Sequence, residues 1–159
     1  MILAKAQGLG SRISLEVGGD SYDVAPARRG LFGRIVGQAY SVVDRSSGRR
    51  ALVTYRVLRN RIEVERGDTR ATLRLRTVRP STLIFDRQEY RIKFGKLKGS
   101  IDIVRDGEIM ATGSLGTSSV RFQEAEGPLG AILPELAVGL CIWLKNFQGF
   151  LGAMIGGQA

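Results

Sequence analysis

The stretch ELAVGLCIWLKNFQGFLGAMIGG, Glu135–Gly157, decides the fold. It is apolar nearly all round, yet it follows a long run of short, charge-studded segments. A helix without a polar face is either a membrane span or a fully buried core helix. A span needs about 20 mostly apolar residues. The uninterrupted apolar run here, Leu136 to Leu144, is about half that, and Lys145, Asn146 and Gln148 follow at mid-helix. A lysine at the bilayer centre costs about 2.5–3.5 kcal/mol on insertion scales. Pro134 and Glu135 interrupt any longer span. The sequence therefore predicts one buried helix over about residues 129–155, starting at about Leu129 or Glu135, with Pro134 tolerable in its first turn and Gly156 and Gly157 ending it. Its expected core residues are Leu136, Leu140, Trp143, Leu144, Phe147 and Leu151.

Upstream, from about residue 11 to 124, the pattern is that of strands. SRISLEV alternates Ile13, Leu15 and Val17 with Ser14 and Glu16, the period of a half-buried strand. ALVTYRV puts Ala51, Val53, Tyr55 and Val57 on one side. TRATLRLRT is the clearest case, with Ala71, Leu73 and Leu75 facing one way and Arg70, Thr72, Arg74 and Arg76 the other. EYRIKF alternates Tyr90, Ile92 and Phe94 with Arg91 and Lys93. Asp106-Gly107 suits a type I′ hairpin turn. RRGLFGRIVG is ambiguous between a bend and a loop. Turn signals every eight to twelve residues or so leave connections too short for crossovers, so antiparallel neighbours are expected. The fold class read from this is mainly β: a closed antiparallel barrel of about twelve strands in a single domain over residues 1–159. A barrel that wide has an interior its own side chains do not fill. A helix of about 20 residues, roughly 30 Å long, is a fitting plug.

Composition narrows the function classes. The 159 residues carry 24 Lys and Arg against 15 Asp and Glu, a net charge of +9 spread along the chain. Such a field attracts polyanions. There is no histidine, which removes the commonest general base and metal ligand. The single cysteine, Cys141, lies in the apolar stretch and reads as a small buried hydrophobe. The start, MILAKAQGLGSR, is too short and too weakly apolar for a signal peptide, so a cytoplasmic protein is expected. Arg66–Asp68 reads as a hairpin turn, and GLGSR and GKLKGS lack the strand-to-helix setting of a phosphate loop. Asp102, Asp106 and Glu108 are better explained by turn chemistry than as an acid–base pair.

Several segments resemble the tubby-like barrel superfamily, which groups tubby C-terminal domains, phospholipid scramblases and plant LURP-one-related proteins. They are YSVVDRSSGRR, EYRIKFGKLKGSIDIVRDGEIMATG and the apolar helix after SSVRFQEAEG. The resemblance covers about residues 11 to 155. It implies a twelve-stranded barrel threaded by its C-terminal helix, and a binding module rather than an enzyme. It implies phosphoinositide-like recognition through basic side chains. The chain lacks a cysteine cluster and a scramblase-like acidic segment, so lipid scrambling is not carried over.

The expected anionic-ligand residues are Arg70, Arg74 and Arg76, Arg91 and Lys93, with Lys96 and Lys98 in the following loop. The leading expectation is a monomeric, non-enzymatic scaffold, without cofactor or metal, that associates peripherally with anionic membrane lipid. The rivals are a protein anchored in the bilayer by its C-terminal helix, and a basic barrel that binds nucleic acid. Tyr55, Phe85, Tyr90 and Phe94 fall on the predicted inner faces, which disfavours base stacking.

Overall fold

The computed structural model describes residues 1–7, 12–27, 37–76, 79–95 and 99–156, excluding the side chains of 37 and 147–156. Twelve strands follow one another: β1 (Ile2–Gln7), β2 (Arg12–Val17), β3 (Asp20–Pro26), β4 (Gly37–Val43), β5 (Arg50–Arg56) and β6 (Arg61–Arg66). They continue as β7 (Thr69–Arg74), β8 (Ser81–Phe85), β9 (Gln88–Phe94), β10 (Ser100–Arg105), β11 (Glu108–Leu115) and β12 (Ser119–Phe122). Among the described residues one helix, α1 (Gly127–Gly156), follows the strands. Each strand pairs antiparallel with the next, and β1 pairs with β12 to close the barrel. Closure leaves no sheet edge to attract other chains.

Alternation does what the pattern requires. Ala71, Leu73 and Leu75 are buried inside, while Arg70, Arg74 and Arg76 are exposed. Tyr90 and Ile92 are buried, and Phe94 packs half-buried at the core margin. Positive φ at both Asp106 and Gly107 fits the expected I′ turn. Two local expectations need correction. Val57 does not continue the inward row of β5, because the strand ends at Arg56 and Val57 lies in the next turn, 46% exposed. The chain's first strand is β1, not one near residue 11; Ile2 and Ala4 are buried against β2 and β12. RRGLFGRIVG, Arg28 to Gly37, lies almost wholly outside the described residues.

The helix answers the question its sequence posed. The stretch Gly127–Asn146 is long and apolar enough to cross a membrane, but 72% of it is buried in the barrel. Leu129, Ile132, Leu133, Leu136, Leu140 and Ile142 are each at most 3% exposed. Leu144 is also buried, whereas Trp143 sits half-buried with its ring 5.7 Å from that of Phe94. Phe147 and Leu151 belong to α1, but their side chains lie outside the described residues. The helix starts earlier than expected, so Pro128 occupies the first turn and Pro134 lies inside. Pro134 removes one rung of the ladder. Gly139 lets the helix approach the wall: a Cβ there would overlap the Ile62 methyl and crowd Val53.

Fully burying a large aliphatic side chain contributes about 1.5–3 kcal/mol. Removing one also leaves a hole that a rigid barrel closes poorly. Leu140→Ala is therefore expected to cost about 2–5 kcal/mol, read as a lower urea midpoint with an unchanged slope. The exposed control Ile109→Ala, 57% accessible in the native chain, should shift the midpoint little.

Candidate functional site

The two ends of the barrel differ in charge. At the end where α1 begins, the connections carry Asp44, Asp68, Asp86, Asp106, Glu124 and Glu126. Arginines are mixed among them: Arg45 lies 2.5 Å from Asp23, and Arg66 lies 3.2 Å from Glu135. The far end carries the β5–β6 turn, the β7–β8 and β9–β10 connections and the β11–β12 turn, together with the β1–β2 and β3–β4 connections, which lie almost wholly outside the described residues. There the helix reaches the strand ends: Trp143 meets Phe94, and Asn146 exchanges hydrogen bonds with Gln38 at 3.3 Å. Among the described residues, the far-end connections contain no Asp or Glu. They contain Arg59, Arg76 and Arg79, all exposed, with Arg12, Arg56, Arg61 and Arg74 at the adjoining strand ends.

Register sharpens this into a row. Arg56 pairs with Arg61, Arg61 with Arg74, Arg74 with Thr82, and Thr82 with Arg91. Four of these five successive positions across β5–β9 are arginine. Like charges directly opposite one another destabilise a sheet. One carboxylate moderates the row: Glu63 lies 3.0 Å from Arg56 and 3.8 Å from Arg61. The Nε of Arg61 is buried and has no hydrogen-bond partner among the described residues. The row thus concentrates positive charge, an arrangement that an anion at its exposed guanidinium groups would relieve.

The expected site residues are only partly united. Arg74 and Arg91 fall in the row, one Thr82 apart. Arg70 lies toward the other end, opposite Glu65. Arg76 is exposed beyond the end of β7, its backbone N–H donating to the Ser81 hydroxyl at 3.0 Å. Lys93 is exposed opposite Asp102. With Arg91 and Arg105 it lines a wall groove of about 450 Å³ that also holds Glu89 and Asp106. Lys96 and Lys98 lie outside the described residues. Sequence reading missed Arg56, Arg59 and Arg61. Parity marks Arg56 and Arg61 as outward-facing, but only pairing puts them level with Arg74.

The β5–β6 turn projects from this row. Leu58 is 83% exposed, with Val57 beside it. Asn60, at φ 48°, anchors the turn. Its Oδ1 accepts from the Tyr55 hydroxyl at 3.0 Å, and its Nδ2 donates to the Leu75 carbonyl at 3.1 Å. Its own carbonyl accepts from Leu75 N–H at 2.9 Å.

Cys141 shows no sign of nucleophilic use. Burial pushes its thiol up to about 11, and Sγ donates to the Ser118 carbonyl at 3.6 Å. Among the described residues no cluster of three or more Cys, Asp or Glu could hold a metal. No family model, curated protein or solved structure matches this chain.

At the opposite end, Arg66 anchors the start of α1. Its Nη1 donates to the Ala131 carbonyl at 3.0 Å and to Glu135 Oε1 at 3.2 Å. The other carboxylate oxygen, Oε2, is buried without a hydrogen-bond partner. Burial pushes the Glu135 carboxyl up; its own backbone N–H and Arg66 pull it down without cancelling that effect. A raised folded-state value means stability is greatest below the ordinary glutamate range and falls as pH rises through the shifted one. Glu135→Gln is expected to flatten that fall. Arg66→Ala should steepen it and cost about 3 kcal/mol at neutral pH, the lower end for breaking a buried pair because Arg66 still touches water. Urea midpoints measured from pH 4 to 8 check both.

Proposed function

We propose that the chain is a non-enzymatic, tubby-like binding module that associates peripherally with anionic phospholipid through the far end of its barrel. The observation that carries this reading is the row Arg56, Arg61 and Arg74, beside connections free of carboxylates among the described residues, continued on the barrel wall by Arg91 in the middle of β9. Near an anionic leaflet each Lys or Arg contributes about 1 kcal/mol. Four or five acting together support attachment that weakens as salt rises. The sequence resemblance to the tubby-like barrels points to the same ligand class. A monomer in the cytoplasm, docking reversibly, fits this reading.

The rivals fit less well. A bilayer anchor would have to withdraw the core helix from the barrel, exposing Leu136, Leu140 and the side chains that surround them. Single-stranded nucleic acid is held by exposed aromatics on which bases stack. Among the described residues no aromatic side chain is exposed; Tyr22, Phe94 and Trp143 are half-buried and the rest buried.

Vesicle sedimentation tests the proposal. The protein is expected to pellet with phosphatidylserine-containing vesicles at low salt, to be released at high salt, and to ignore pure phosphatidylcholine. Arg74→Glu with Arg91→Glu should weaken pelleting about tenfold or more. A charge-matched pair at the other end or on the opposite wall, Arg87→Glu with Arg121→Glu, should weaken it far less. Equal losses from both pairs would reduce the effect to bulk charge. A shifted single-stranded oligonucleotide at physiological salt, with no pelleting, would favour nucleic acid instead.

A further inference from the structure

We infer that the β5–β6 turn, residues 57–60, is an apolar prong that enters the hydrocarbon margin of an anionic membrane, with Leu58 at its tip. The inference rests on the lipid-binding reading above and deepens it. An exposed leucine alone needs no explanation. Three features set this one apart. It is the most exposed large hydrophobic side chain among the described residues, at 83%, and its neighbour Val57 is 46% exposed. It stands between Arg56 on one side and Arg59 and Arg61 on the other, at the end whose described connections carry no carboxylate. The turn is also held in one shape by the bonds from Asn60 to Tyr55 and Leu75.

The chemistry of the occupant follows from this combination. A protein partner with a greasy pocket would match Leu58 but not the surrounding row of arginines. A soluble polyanion would match the arginines but leave Leu58 in water. A leaflet of anionic phospholipid offers phosphates at the level of the guanidinium groups and acyl chains just beneath them. A rigid turn loses little conformational freedom on insertion, so the apolar contact is not offset by ordering the loop. Insertion makes a contribution that salt does not screen, whereas the arginine contribution is screened.

The test uses the full chain carrying Leu58→Trp in a Trp143→Phe background, which leaves the new tryptophan as the only one. Vesicles of phosphatidylserine and phosphatidylcholine should shift its emission to the blue, and lipids brominated along the acyl chain should quench it. Leu58→Asn, which removes the apolar contact without adding charge beside Arg56, Arg59 and Arg61, should weaken vesicle partition about tenfold while leaving the dependence on salt unchanged. The site is exposed, so neither change is expected to disturb folding, and a urea midpoint checks this. Unshifted emission in protein that still pellets would overturn insertion and leave the lipid reading standing. Failure of the parent protein to pellet at low salt would overturn both. If Leu58→Asn instead changed the size-exclusion elution and not vesicle binding, the turn would be a contact between copies of the chain, and the inference would fail.

Discussion

A closed sheet of twelve strands leaves a space that its inward side chains do not fill, and α1 fills it. The other features of the molecule follow from that packing requirement. The helix must be apolar on every face because wall surrounds it, which is why Leu133, Leu136, Val138 and Leu140 are all buried although they point in different directions. It must be slim where strands press closest, which explains Gly139 against Ile62 and Val53. Among its described side chains, the polar ones lie toward the rims: Glu135 at one end, Lys145 and Asn146 at the other.

Those rims solve different problems. Where α1 begins, Arg66 supports a helix whose ladder is interrupted at Pro134 and pairs with a carboxylate drawn out of water. Acids and bases alternate there, so their fields largely cancel beyond a Debye length. At the far rim few carboxylates oppose the arginines, and the field extends outward. A net charge of +9 read from composition says only that anions are attracted. The fold converts that scalar into a direction.

The architecture was largely legible from the sequence because it rests on local periodicity. TRATLRLRT and EYRIKF alternate cleanly, and the apolar run after Glu135 has only one place to go in a chain that otherwise makes strands. The first strand was missed because ILAKAQ blurs the alternation: Ala4 and Ala6 are weak markers, and Leu3 lies on the outward side. The start of α1 was set too late because Pro134 was taken for a first-turn proline when Pro128 plays that part. The basic row was only half legible. Side-chain parity tells which arginines face outward, but height along the barrel depends on register. Arg56, Arg61, Arg74 and Arg91 meet only after four hairpins have set their offsets. Arg70 and Lys93 share the parity and miss the level.

The seam between β1 and β12 has a consequence for how the chain acquires its shape. Met1 reaches Glu124 across 123 residues of sequence, and β1 has no second neighbour until β12 exists. Hairpins can form one by one as the polypeptide emerges, but the cylinder cannot shut until its last stave arrives, and the plug comes later still. Until then the inner faces of eleven strands stand open to water. Such an intermediate would bind chaperones that hold greasy surfaces, and a ribosome stalled before α1 would leave an aggregation-prone trough rather than a smaller stable protein.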